Sequence, residues 1–210
     1  MLRHLAIASA LILLTACSNI EHKTPEVREQ IKRDLNIDQI VDTAQTSFCW
    51  LAIDGVATCK YTSAYSILTP DSLYLTDVEK GSFVQKDVIR AKDVKCISDV
   101  DGQNFYVFKE RQAVSLIPYT EVHRAPLENN PEYRAKVIKM LLSNGQPYLT
   151  GKAATFIRDT GRKEYSVHSI YTGAGPIPIA VGNEVQQIIS PCPAGCLLYT
   201  SPSPRDATLS

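Results

Sequence analysis

The sequence predicts an α+β fold: a short N-terminal helix, a central antiparallel β-sheet or small barrel, a second helix over about 131–144, and C-terminal strands. Three observations carry this. Two segments have helical start signals and apolar residues at helical spacing. Between them, from Ser47 to Pro118, short alternating runs recur at regular intervals, separated by turn residues. After the second helix, strand-like runs return.

The elements follow in order. Thr24-Pro25 supplies a side-chain N-cap and a proline at the first helical position. Val27, Ile31 and Leu35 then repeat every four residues as one stripe. Asn36 marks a break, and Ile37–Val41 continues or restarts the helix. Phe48–Ile53 and Val56–Thr62 read as a hairpin around Ile53-Asp54-Gly55. Ala64–Thr69 and Ser72–Thr76 flank Pro70-Asp71, with proline in a favoured turn position. Val84–Ile89, Val94–Ile97, Asn104–Phe108 and Ala113–Ile117 continue the series, with turns at Gly81-Ser82, Asp101-Gly102 and Glu110-Arg111. Asn130-Pro131 opens the second helix, Tyr133, Val137, Met140 and Leu141 share its apolar face, and Asn144-Gly145 stops it. Ala153–Ile157 and Tyr165–Tyr171 read as strands joined around Asp159-Thr160-Gly161. Gly173-Ala-Gly-Pro-Ile-Pro178 reads as a rigid irregular crossing, and Val181–Ile189 as a last strand or short helix.

The N-terminus carries a different signal. Arg3 and His4 precede the apolar run Leu5–Leu14, which Ser18, Asn19, Glu21 and His22 end well short of the roughly twenty residues a membrane span requires. Leu14-Thr15-Ala16-Cys17 resembles the lipobox of bacterial lipoproteins. The resemblance implies cleavage before Cys17, diacylglycerol on its thiol, and, with Ser18 following, the periplasmic leaflet of the outer membrane. The opposite end, residues 196–210, resembles translated read-through of a transposase-type sequencing adapter. The expected organisation is a signal peptide over residues 1–16, a tether over 17–23, one α+β periplasmic domain over 24–195, truncated at its C-terminus, and an artefactual tail beyond it.

With 22 basic and 22 acidic residues and no long run of either sign, the chain has no basic stripe for nucleic acid. Arg134, Lys136 and Lys139 read as the solvated face of a helix. Setting aside Cys17 and Cys196 leaves Cys49, Cys59, Cys96 and Cys192, an even number in a compartment that permits disulfides. Cys49 and Cys59 face each other across the Asp54-Gly55 turn and are expected to bridge. Cys96–Cys192 then follows as a long-range second bond. The four lack a C-x-x-C pair, so no zinc site is expected.

The strands and capped helix between Trp50 and Gly145 also resemble the pleckstrin-homology-like arrangement, supported locally by the strand–turn–strand Ile67–Leu75. This likeness carries no ligand residues.

Other motifs have plainer readings. Asp99-Val-Asp101-Gly102, with Glu110 at the twelfth position, mimics a calcium loop. Phe105 and Val107 stand where ligands should be, so a hairpin turn with solvated carboxylates is expected. Gly173 and Gly175 are spaced as in a phosphate loop, yet Pro176 removes a backbone donor. Gly173, Gly175, Pro176 and Pro178 are instead taken as an interaction loop. Trp50 is expected on the disulfide or in the core. Tyr61, Tyr65 and Tyr74 read as packing residues, with a binding groove as the alternative. No catalytic motif, metal site or cofactor is expected. The function expected is a non-enzymatic envelope binding or assembly module, held at the membrane through Cys17, with an envelope protein as partner and no nucleic acid. The alternative is an envelope hydrolase using His123 or His168 as base.

Overall fold

The computed structural model describes residues 22–120, 128–173 and 175–193. The lipobox with Cys17, the signal segment, His123 and the adapter-like tail lie outside the described residues. Helix α1 spans Pro25–Leu35 and is followed by strands β1 (Asp42–Ala52), β2 (Thr62–Leu68), β3 (Ser72–Glu79) and β4 (Ser82–Arg90). A short 3-10 turn, Ala91–Asp93, leads to β5 (Cys96–Asp99), β6 (Phe105–Phe108), β7 (Gln112–Thr120) and β8 (Glu128–Asn129). Helix α2 spans Pro131–Leu141, and β9 (Tyr148–Thr150), β10 (Ile157–Thr172) and β11 (Gly175–Ile188) complete the chain.

The first nine strands form one sheet in the order β4-β3-β2-β1-β7-β6-β5-β9, with β8 added on β7. Its pairings are antiparallel except β5 with β9. The fold is therefore α+β. Seven antiparallel strands, β1–β4 and β5–β7 joined through the β1–β7 pairing and followed by a helix, are the arrangement expected from the pleckstrin-homology-like resemblance. The sheet curls strongly. Asp87 on β4 accepts a 2.9 Å hydrogen bond from Trp50 Nε1 on β1, three strands away in the sheet order. Lys109, in the β6–β7 turn, approaches the same carboxylate at 3.5 Å.

Two helices cover the sheet, and strand alternation decides what each receives. On β2, Ala64 and Leu68 point towards α2, whereas Tyr65 and Ile67 point towards α1. Tyr133, Val137, Met140 and Leu141 of α2 pack onto Phe48, Leu68, Leu75, Phe105, Val107 and Leu116. These are the four residues the helical spacing assigned to the buried face. Asn130 caps α2 by accepting from Tyr133 N at 3.0 Å. The helix closes three residues earlier than expected, with Gly145 at φ +78° completing the turn. Helix α1 buries Ile31 against Ile40, Ile67 and Phe83. Thr24 accepts from Val27 N at 3.3 Å, and Asn36 ends the helix in the left-handed region at φ 52°. Residues 37–41 do not continue the helix; they extend into β1.

Both expected disulfides are present, Cys49–Cys59 and Cys96–Cys192. The hairpin around the first is not as expected. β1 pairs with β2 so that Phe48 faces Thr62, and the intervening segment is a wide loop rather than a three-residue turn. Its residues bond elsewhere: Ile53 N donates to Arg111 O, and Asp54 N to Ile188 O at 2.8 Å. The disulfide closes the throat of that loop. Trp50 lies outside the core, 43% exposed, edge-on to Phe48. It shares a strand face with buried Phe48 but sits two residues nearer the end of β1, where its Nε1 donates to Asp87.

The C-terminal third differs most from expectation. The strand expected over Ala153–Ile157 is not formed: Ala153 and Ala154 close a 3-10 turn that begins at Gly151, and β10 starts only at Ile157. Asp159-Thr160-Gly161 does not reverse the chain, because β10 runs through it with a register shift between Asp159 and Lys163. The Gly173–Pro178 segment is no crossing either. It forms the tip and first residues of β11 in a long two-stranded hairpin.

Candidate functional site

Among the described residues, the β10–β11 hairpin is an arm joined to the body at its base. There, Ala57 N donates to Gln186 O at 2.8 Å and Ile188 N to Gly55 O at 2.9 Å, while Val56 bridges Gln187. Ile188 is buried beside Leu51, Phe108 and Phe156, and Cys192 locks the following residues to Cys96. At the bulge Thr160 Oγ1 donates to Val185 O at 2.6 Å, and Gly161 takes φ +70°, a conformation that favours glycine. Above it, strand pairing continues from Lys163–Glu184 to Thr172–Gly175. At about 3.3 Å per residue that is roughly 30 Å of ribbon. Among the described residues, every hydrogen bond of this upper part stays within the arm.

Composition sets the arm apart. Tyr165–Asn183 contains no Asp, Glu, Lys or Arg. One face carries Tyr165, Val167, Tyr171, Pro176, Pro178 and Ala180. The other carries Ile170, Ile177, Ile179 and Val181 with Ser166 and His168. Tyr171 is 83% exposed, Val167 71% and Tyr165 70%. An isolated two-stranded ribbon is marginal in water, and surface strands are ordinarily guarded by charge. The Tyr165 ring lies over Gly182, where an added Cβ would come within 2.9 Å of it. That glycine therefore allows a cross-strand aromatic cover.

The expected interaction loop, Gly173, Gly175, Pro176 and Pro178, belongs to this arm. Gly175 adopts φ +118° at the tip, and the two prolines sit two residues apart on β11. Sequence reasoning found these residues but missed the arm. The signal was nonetheless there: two uncharged runs of equal length, YSVHSIYT and GPIPIAVG, are separated by Gly-Ala.

The other expected sites fall elsewhere. His168 is exposed on the arm, and its Nε2 lies 2.8 Å from Ser166 Oγ. Among the described residues no carboxylate hydrogen-bonds that ring, so the pair lacks the third member of a triad. Tyr65 and Tyr74 pack towards α1, whereas Tyr61 OH meets Ser115 Oγ at 2.8 Å. They do not line one groove. Tyr65 borders an open depression of about 280 Å³ with Gln45, Ser63, Asp77 and Tyr119. Tyr74 borders a separate one with Asn36, Thr69 and Asp71. Among the described residues no group of three His, Cys, Asp or Glu side chains could hold a metal ion.

Asp99 corrects the solvated-turn reading. Only 9% of its side chain is exposed, and its carboxylate accepts hydrogen bonds from Arg134 on α2, Tyr148 on β9 and Gly102 N. Burial pushes the carboxyl up, but the bonds from Tyr148, Arg134 and Gly102 outweigh it and hold it below its ordinary value. Arg134 also stacks over Phe105, 5.4 Å from the ring centre. Its guanidinium thus secures α2 rather than facing solvent. Lys136 likewise pairs with Asp42 at 2.8 Å and Glu132 at 3.1 Å. Asp101, by contrast, accepts from Gln103 N and Asn104 N, as the turn reading expected.

No family model matches the chain, and no curated protein matches it. Among solved structures it is similar to the DH/PH domains of p115-RhoGEF at 16% identity and TM-score 0.36, covering 58% of this chain and 34% of that one. It is similar to the activated truncation of Vav1 at 14% identity and TM-score 0.38, covering 72% and 41%. The C-terminal domain of an unknown protein from Leishmania infantum gives 13% identity and TM-score 0.36, covering 56% of this chain and 96% of that one. The chain thus spans well under half of the two exchange-factor structures. At these TM-scores the likenesses bear on no functional question.

Proposed function

We propose that this chain is a lipid-anchored cell-envelope protein, a non-enzymatic binding or assembly module whose docking element is the β10–β11 arm. The observation that carries the reading is the arm itself, a ribbon about 30 Å long whose outer part, Tyr165–Asn183, has no Asp, Glu, Lys or Arg and carries apolar side chains on both faces. Large exposed apolar surfaces on monomers mark interaction sites. The anchor rests on Leu14-Thr15-Ala16-Cys17, and the two disulfides fit an oxidising compartment such as the periplasm.

The buried His22 sharpens the picture. Its ring packs near Tyr65, 5.2 Å between centroids, and its carbonyl accepts from Thr43 Oγ1. It lies five positions after Cys17, so the chain spans at most about 18 Å between them. A lipid on Cys17 holds the α1 side of the domain close to the bilayer surface.

The test is expression of the full chain in a bacterial host with labelled palmitate, followed by cross-linking in intact envelopes. Label lost with Cys17→Ala, and a reproducible adduct lost when the arm is shortened, are the expected results. Absence of label, or adducts that do not depend on the arm, overturns the reading.

A further inference from the structure

We infer that the outer edge of β10 is a self-pairing edge, on which a second copy of this chain adds its own β10 antiparallel about His168. The inference rests on the reading of the arm as the docking element and names its partner.

The hairpin tip sets the hydrogen-bond pattern of the arm. Thr172 and Gly175 close a two-residue turn and are therefore a hydrogen-bonded pair. Alternation makes Tyr171–Pro176, Ser169–Pro178, Val167–Ala180 and Tyr165–Gly182 the non-hydrogen-bonded pairs. The prolines agree with this assignment, since they occupy positions from which the hairpin needs no donor. At these pairs the backbone N–H and C=O groups point away from the partner strand, towards the edges of the arm. On β11 two of those four residues, Pro176 and Pro178, have no N–H to offer. On β10 all four, Tyr165, Val167, Ser169 and Tyr171, offer both a donor and an acceptor. One edge is blocked by proline and the other is open, without a charge to guard it.

Lipid is a poor occupant for such an edge, because hydrocarbon satisfies no backbone donor. A strand satisfies them all, and a third strand is what a marginal ribbon lacks. The chemistry of the edge favours its own copy. In a two-fold pairing centred on His168, Tyr165 faces the second copy's Tyr171, and Val167 faces its Ser169. Aromatic cross-strand pairs then form at both ends, with small residues between. Arg162, Lys163 and Glu164 fall beyond the paired stretch, opposite the turn, so no charge is buried. The contact is isologous and closes at two copies, because each copy's β11 edge is blocked.

The experiment uses the detergent-solubilised full chain and sedimentation between about 1 and 100 μM, with three variants. Val167→Pro removes an outward donor from β10 and is expected to weaken dimerisation about tenfold or more. Ala180→Pro removes the equivalent donor from β11 and is expected to leave the dimer unchanged. His168→Cys, on a Cys196→Ser background, is expected to form an intermolecular disulfide, because residue 168 faces itself across the two-fold axis. Ser166→Cys faces residue 170 and is not. A chain that stays monomeric throughout the range, equal sensitivity to the two prolines, or cross-linking at 166 as readily as at 168 overturns the inference. Palmitate labelling of the same preparations is read separately: a dimer without label refutes the anchor alone, and label without a dimer refutes the self-pairing alone.

Discussion

At Asp99, burial and charge compete, and the hydrogen bonds decide the outcome. Its carboxylate ties α2 through Arg134 and β9 through Tyr148 to the end of β5. Replacing it by Asn leaves Arg134 poorly matched in a largely buried position, and the loss expected is about 2–3 kcal/mol at neutral pH by chemical denaturation. The folded value is depressed below the ordinary 3.8. The contribution of Asp99 is therefore complete above about pH 5 and is lost as pH falls through the folded value. The stability gap between the parent and Asp99→Asn should narrow below about pH 4; a gap independent of pH contradicts this assignment. Tyr133 offers a neutral comparison. It is fully buried, and its hydroxyl donates to Ser66 O at 2.9 Å. Tyr133→Phe is expected to cost about 1 kcal/mol, with no such acid dependence. The sequence showed Tyr133 as a core residue because helical spacing is local. It could not show Asp99 as an anchor, because Arg134 and Tyr148 lie 35 and 49 residues away.

At the scale of elements, caps and turns were the most legible features. Thr24, Asn130 and Pro70-Asp71 act where their side-chain chemistry places them, since each satisfies backbone groups within a few residues. Asn130→Ala is expected to cost about 1 kcal/mol, or about 2–4 °C in Tm by thermal melting. Two of the misread elements share one cause. The Asp54-Gly55 turn and the Asp159-Thr160-Gly161 bulge both carry turn residues, but each sits where the arm meets the body. There Ile188, Gln186 and Val185 take up hydrogen bonds that a local hairpin would have used. Turn chemistry announces a bend and says nothing of which strand lies beside it. The arm yields its own prediction. Joining Lys163 to Glu184 through Asn-Gly, in place of the residues between, should shift the melting temperature of the body by no more than about 2 °C. A larger drop would mean that the ribbon packs on the body.

For the molecule as a whole, the disulfides fix what the sheet alone does not. Cys96–Cys192 closes a 96-residue separation and Cys49–Cys59 one of 10 residues. On the chain-entropy account the first contributes about 4.5–5 kcal/mol and the second about 2.5–3. Replacing Cys96 and Cys192 by Ser should therefore cost more in denaturation than replacing Cys49 and Cys59, and should loosen the base of the arm as well. Their pairing was legible from an even cysteine count and one turn, although the expected turn geometry around Cys49 and Cys59 was wrong. The central antiparallel sheet was legible from strand spacing and the two helices from their caps and apolar stripes, whereas the face of the sheet that each helix covers was not. The separation of one uncharged ribbon from that body was not, because it depends on which strands find neighbours. That separation leads to the central claim, that the arm is covered in the working state. Hydrogen–deuterium exchange of the full chain in its native membrane, compared with dilute detergent solution, tests it most directly. The account predicts that amides of Tyr165, Val167, Ser169 and Tyr171 are protected in the membrane and exchange rapidly on dilution. Equally rapid exchange of those four amides in both settings would contradict it.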